Sequence, residues 1–174
     1  MNCLTKKIAF ISGATSGLGK ELSIQLAKSG YHVLIHGRNQ NKLNYLFDQI
    51  KSLSGTSTII NFDLNDYNGI DKLGYEIFKK YQTLDLLVMN AAILGTLTPL
   101  CHQEPKEFEK VLKTNLIANF RLLRSLELSL KKSKDGQLCV ISSKLTKNPK
   151  PFWGAYSVSK LSLIHISEPT RLSV

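Results

Sequence analysis

Tyr156 and Lys160 stand four residues apart in Trp153-Gly154-Ala155-Tyr156-Ser157-Val158-Ser159-Lys160. On a helix that spacing puts both on one face, so an ammonium would lie beside a phenol and favour its ionised form. A free phenol titrates near ~10, and bringing it to neutrality takes roughly 4 kcal/mol of differential stabilisation, part of which a cationic dinucleotide ring could supply. The chemistry would be proton transfer by a tuned tyrosine. Taken alone, the pair suits a solvated helix face equally well. Two serines, Ser142 and Ser143, precede it in the chain and could add a hydroxyl donor.

Such a pair needs a scaffold, and the N-terminus offers one. The apolar run Ile8-Ala9-Phe10-Ile11-Ser12 leads into Gly13-Ala14-Thr15-Ser16-Gly17-Leu18-Gly19, and Leu22, Ile24, Leu26 and Ala27 then follow in a helical pattern. This reads as strand, tight turn, helix. Glycines let the backbone approach a pyrophosphate, and the free N–H groups and positive end of the following helix would hold the anion. The spacing G-x-x-x-G-x-G departs from the usual G-x-G-x-x-G dinucleotide fingerprint. A plain glycine-rich turn is the alternative, but the strand before and the helix after favour a nucleotide site. A nucleotide loop together with an activated tyrosine points to an oxidoreductase.

These residues resemble the short-chain dehydrogenase/reductase family from about Lys6 to Lys160. Its T-G-x-x-x-G-x-G reads here as Ser12-Gly13-Ala14-Thr15-Ser16-Gly17-Leu18-Gly19, with serine in the first place. Its D-[LV] after the third strand reads as Asp63-Leu64, expected beside an adenine. Its N-N-A-G reads as Met89-Asn90-Ala91-Ala92, so only Asn90 and Ala91 survive. The family's helix asparagine falls on Asn115, and its serine, thirteen positions before the tyrosine, falls on Ser143. The resemblance implies hydride transfer between a nicotinamide and a carbonyl or alcohol. Tyr156 would be the general acid/base and Ser143 the donor that polarises the carbonyl. Lys160 would tune Tyr156 and bind the nicotinamide ribose, and Asn115 would hold a relay water, although a plain helix-interior polar residue fits Asn115 too. Gly13, Thr15, Ser16, Gly17, Leu18, Gly19, Asp63, Leu64, Asn90, Ala91, Tyr156 and Lys160 make up the implied cofactor contacts.

Arg38 extends that set. After the second strand the chain reads Gly37-Arg38-Asn39, where an NAD site would place an acidic residue against the ribose hydroxyls. No carboxylate is present, and the planar guanidinium suits a 2′-phosphate. NADP is therefore expected over NAD, against the simpler reading of Arg38 as a surface charge.

Five short apolar runs read as strands, at 8–12, 31–36, 57–62, 84–90 and 137–142, with helical patterns at 17–29, 40–53, 70–81 and 105–130. Strict alternation means a doubly wound parallel α/β sheet, Rossmann-like by the resemblance, and incomplete after the fifth strand because the family's domain carries further strands. Residues 1–160 are assigned to this nucleotide-binding domain. Leu161-Ser162-Leu163-Ile164-His165-Ile166-Ser167-Glu168-Pro169-Thr170-Arg171 resembles the codon-by-codon translation of a transposase-based sequencing adapter, so 161–174 is expected to be a non-native tail. The alternative is that the helix after Lys160 simply continues to Pro169. Without a sixth strand, Gln137-Leu138-Cys139-Val140-Ile141 would form an unprotected edge, and the 174-residue chain is expected to aggregate or be poorly cooperative and to lack reductase activity.

Composition adds setting rather than chemistry. Lys plus Arg outnumber Asp plus Glu by 23 to 13, a formal charge of +10, but the lysines are scattered over several helices. That favours solvated surface over a nucleic-acid face. Cys3, Cys101 and Cys139 are odd in number without C-x-x-C, and His32, His36 and His102 lack ligand spacing, so neither disulfides nor metal are expected. No signal core or membrane-length run is present, which places the protein in the cytoplasm. The expected substrate is a small carbonyl or alcohol, with neither nucleic acid nor membrane as partner, and the parent enzyme is expected to be a homo-oligomer. A 3-oxoacyl carrier-protein reductase is the narrower alternative. A nucleotide-binding regulator that has lost catalysis is the other, and the intact Tyr156 and Lys160 argue against it.

Overall fold

The structure, a computed structural model, describes residues 6–167, without the side chain of residue 167. Five strands, β1 (Ile8–Ile11), β2 (His32–Gly37), β3 (Thr56–Asn61), β4 (Leu86–Met89) and β5 (Gln137–Val140), alternate with helices. These are α1 (Gly17–Lys28), α2 (Gln40–Ser52), α3 (Tyr67–Tyr81), α4 (Pro105–Leu112), α5 (Ala118–Lys132) and α6 (Gly154–Ser167). All strand pairs are parallel, in the order β3-β2-β1-β4-β5. The strands lie within two residues of their expected bounds, since it is their apolar character that buries them. The predicted helix at 105–130 differs more: it is α4, a π-helical turn at Lys113–Ile117, and α5 in one continuous run. A π turn inserts an extra residue into a helix and recurs at functional sites.

Period-2 alternation divides the core. Phe10, Leu34, Leu87 and Met89 face α3 and α5 in one cluster, while Ile11, Val33, Ile35 and Val88 join Leu43, Leu46 and Ile50 of α2 in the other. Both faces of the central strands are therefore apolar, as a sheet covered on two sides requires. The helices start on short polar residues: Asn39 accepts from the Lys42 N–H and Asp66 from the Gly69 N–H. Gly74 brings α3 tight against α5, where its N–H meets Ser125 Oγ at 3.1 Å and a β-carbon would overlap the Ser125 carbonyl.

Among the described residues β5 is a sheet edge. Leu138 and Val140 pack on the first cluster, but Gln137 and Cys139 are exposed. Placing a charge there should block edge-to-edge pairing. Cys139→Lys is expected to reduce concentration-dependent light scattering of the 174-residue chain in reducing buffer. Equal scattering from both proteins would show that β5 does not drive association.

From Leu161 the chain continues α6 to Ser167, and Leu163 is fully buried in the first cluster. Residues 168–171 of the adapter-like segment lie outside the described residues. No helix among the described residues is long and apolar enough to cross a membrane, and none of their His, Cys, Asp or Glu side chains form a group of three that could hold a metal.

Candidate active site

The carboxyl ends of β1, β2 and β4 and the segment after β3 enclose a cavity of about 330 Å³. Its floor is the glycine turn. Gly13 has φ +66°, and a β-carbon there would come within 2.9 Å of Ala91 Cα. Gly19 has no room either, since its β-carbon would overlap the Gly13 carbonyl and the Asn90 amide. Ser12 and Asn90 lock this arrangement. Ser12 Oγ donates to the Val88 carbonyl at 3.3 Å and accepts from the N–H groups of Asn90 and Ala91, while Asn90 Nδ2 donates to the carbonyls of Ser12 and Gly13, these four at 3.0 Å. Gly17, with φ +50°, faces open space and begins α1. The N–H groups of Gly17, Leu18 and Gly19 belong to the first turn and have no intrahelical acceptor, so they present an anion cradle.

Thr15, Ser16, Arg38, Asp63, Leu64, Asn90 and Ala91 line this cavity with Gly13, as the sequence motifs imply. Gly17, Leu18 and Gly19 lie outside this lining, and the Leu18 side chain is exposed. Arg38 sits at the rim and pairs with Asp63 at 3.5 Å. Partial burial pushes the Asp63 carboxyl up, but the Asn65 N–H, the Arg38 charge and the Asn65 amide outweigh it and hold the carboxyl below its usual value. The cradle, the basic rim and the acidic residue beside it fit a phosphorylated dinucleotide.

Tyr156, Lys160 and Ser143 lie outside that lining. Tyr156 and Lys160 share one face of α6, with Nζ 5.9 Å from the ring centroid. Lys160 is only 2% exposed and donates to the Ile141 carbonyl at 2.7 Å, a contact that ties α6 to the end of β5. Burial holds its ammonium down to about 8. Ser143 caps a single 3-10 turn by accepting from the Leu145 N–H at 3.3 Å, which leaves its own proton to donate. Asn115 lies in the π turn and is fully buried. Its side-chain oxygen accepts from the Ile93 N–H, and its nitrogen donates to the Ile93 carbonyl and to Ser159 Oγ. Both amide protons are thus spent on protein partners. These bonds make Asn115 a strut between the segment after β4 and α6.

The sequence matches the short chain dehydrogenase family over residues 7–174. The chain belongs to the short chain dehydrogenase family. The oxidoreductase YciK of Escherichia coli K12 is 30% identical over 162 residues, 91% of this chain and 64% of that protein. The 3-oxoacyl-[acyl-carrier-protein] reductase FabG of Buchnera aphidicola is 29% identical over 98% of this chain and 68% of its own length. A short chain dehydrogenase of E. coli CFT073, solved with NADPH, superposes with a TM-score of 0.88 at 30% identity, covering 94% of this chain and 69% of that one. The chain thus spans roughly two thirds of the length of these short chain dehydrogenases, as the shares just given show.

Two residues of this short chain dehydrogenase site escaped the motif reading. Ser159 accepts from Asn115 and donates to the Tyr156 carbonyl at 2.7 Å, so it joins the π turn to the helix carrying the tyrosine. It was legible only as the residue before Lys160. His36, read in the sequence only for metal spacing, lies in the buried run of β2 one residue before its end and is 1% exposed. Its Nδ1 accepts from the Gly13 N–H at 3.4 Å and its Nε2 donates to the Phe62 carbonyl at 3.2 Å, so a neutral imidazole clasps the glycine turn to the end of β3.

Burial pulls the His36 imidazole from 6.5 down to about 4, against the weaker upward pull of the Phe62 carbonyl and Asp63. Between those two values the unfolded chain binds a proton that the folded chain does not. The stability His36 contributes is therefore complete above 6.5 and is lost as the pH falls toward about 4. The loss is up to about 3 kcal/mol. His36→Gln should flatten this acid-side slope in urea midpoints measured from pH 7 to pH 4.5. Parallel slopes for the two proteins would rule the assignment out.

Proposed function

We propose that this chain supplies the cofactor-binding and proton-transfer parts of an NADP-dependent dehydrogenase or reductase acting on a small carbonyl or alcohol. The observation that carries the reading is the glycine cradle beneath Arg38 at the strand ends, with no carboxylate in the position beyond β2 where a ribose diol would be recognised. The E. coli CFT073 and Shigella flexneri structures solved with NADPH and NADP support it. The bound nicotinamide would supply the hydride.

The chain's own residues do the rest. First-turn N–H groups of α1 hold the pyrophosphate, and Arg38 meets the 2′-phosphate with its fork of donors. Tyr156 gives its proton to the carbonyl oxygen during reduction and takes it back in oxidation. Ser143, whose oxygen is already anchored by the Leu145 N–H, aims its hydroxyl proton at the same oxygen. Lys160 stays cationic below about 8 and would bind the nicotinamide ribose beside Tyr156. Asn115 and Ser159 fix the height of α6 and so the position of Tyr156.

A 3-oxoacyl carrier-protein reductase is a narrower version, favoured by the Buchnera relative and by a basic surface that would receive an acidic carrier. Fluorescence titration with NADPH and NADH tests the core of the proposal. NADPH should bind more tightly; equal affinities would remove the NADP assignment, and no binding of either would remove the cofactor reading altogether.

A further inference from the structure

The amino ends of the strands, opposite the glycine turn, open on a second and larger concavity of about 960 Å³. Its walls come from the residues before β1, the starts of β2 and β3, and the carboxyl ends of α3 and α5. Five lysines and two aspartates line it. Both acids are already used. Asp85 accepts from the Ile8 N–H at 2.7 Å and from the Ser133 hydroxyl at 2.6 Å, and Asp135 pairs with Lys7 at 3.7 Å. That leaves Lys6, Lys80, Lys132 and Lys134 with no carboxylate partner among the described residues.

Helix polarity explains part of this. Lys80 and Lys132 sit in the last turns of α3 and α5, where a cation offsets a partial charge of about half a unit at each helix end. Lys6 and Lys134 stand outside any helix, so the excess of positive charge remains. Beneath the lysines lies a neutral polar floor. Thr58 Oγ1 is 2.9 Å from both His32 Nε2 and Tyr81 Oη, and the imidazole and phenol are themselves 3.4 Å apart. Burial first, then the charges of Lys80 and Lys6, hold the His32 imidazole below its ordinary value.

We propose that this basin is a binding site for a small polyphosphate-bearing anion, gripped by Lys6, Lys80, Lys132 and Lys134 above the hydroxyl and imidazole floor of Thr58, Tyr81 and His32. Several ammonium groups around one concavity suit an anion carrying several charges in a small volume. The volume lies within the range of small-molecule pockets, about 300–1,000 Å³. An acidic peptide would be drawn by the same lysines, but a floor of paired side-chain hydroxyls at the bottom of a basin favours a compact ligand. The site stands at the other end of the sheet from the cofactor cavity and does not depend on what that cavity binds.

The two histidines of β2 make the test internal, because His32 lies at the basin and His36 at the glycine cavity. Tripolyphosphate is titrated into the full 174-residue chain while the ring-proton NMR signals of both are followed, and its binding heat is measured in parallel. The His32 signals should move and saturate. Lys80→Gln combined with Lys132→Gln should weaken binding by about tenfold or more, the effect of removing charge-assisted contacts. Arg38→Gln should leave the His32 response unchanged. Movement of His36 alone, loss of binding with Arg38→Gln, or an unaltered affinity in the double variant would each overturn the proposal. So would tighter binding of a glutamate-rich peptide than of tripolyphosphate at the same site.

Discussion

Tyr156→Phe is expected to leave NADPH binding intact and to lower turnover by ~10² or more, the usual worth of a positioned general acid. The substitution keeps the ring and so the edge contact with Trp153, whose centroid lies 6.0 Å away. It also keeps α6 in place, because the bonds that hold the helix belong to Lys160, Ser159 and Asn115 rather than to the phenol. Only the proton is lost. Turnover with a carbonyl substrate should be measured for both versions in the longest polypeptide the gene encodes, alongside NADPH fluorescence. Retention of most of the activity would show that another group donates the proton. Lys160→Ala should differ in kind, since it empties a buried position and frees the Ile141 carbonyl, so both cofactor binding and turnover should fall.

The motifs made the glycine turn legible because its glycines are demanded by backbone geometry at fixed spacing. Gly13 and Gly19 have no room for a β-carbon, so a sequence reader meets the constraint directly. The parallel sheet was legible for a similar reason: apolar runs separated by helices leave parallel pairing as the economical topology. What could not be read were contacts between distant segments. His36 looks like a stray polar residue in an apolar strand until the Gly13 N–H and the Phe62 carbonyl are brought to its two nitrogens. Ser159 looks like helix filler until the π turn carries Asn115 to it. The π turn left no trace in the periodicity of 105–130, because one inserted residue shifts the apolar face without erasing it. Leu163 shows the converse. An apolar residue three places beyond Lys160 stays near the buried face of α6 and packs there whatever its origin, so its burial follows from helical spacing alone.

Arg38→Asp is expected to invert cofactor preference. The guanidinium stands at the rim of the cavity with Asp63 as its present partner, 3.5 Å away and on the surface. An exposed pair of this kind is worth only ~0–1 kcal/mol, so Arg38 can turn part of its fork toward a 2′-phosphate at little cost. A charge-assisted, two-pronged contact with phosphate is stronger than that, roughly 1.5–3 kcal/mol, or about ten- to a hundredfold in affinity. Replacing the arginine with aspartate removes this contact and sets a carboxylate against the phosphate, while the same carboxylate can accept from the two ribose hydroxyls of NADH. NADPH affinity should therefore fall by at least about tenfold and NADH affinity should rise, giving a reversal rather than a uniform loss. Asp63→Asn separates the two functions of the pair. It frees Arg38 from its carboxylate neighbour and should tighten NADPH without improving NADH. If Arg38→Asp weakened both cofactors equally in fluorescence titration, the arginine would be holding the rim together through Asp63, and 2′-phosphate recognition would have to come from elsewhere in the cavity.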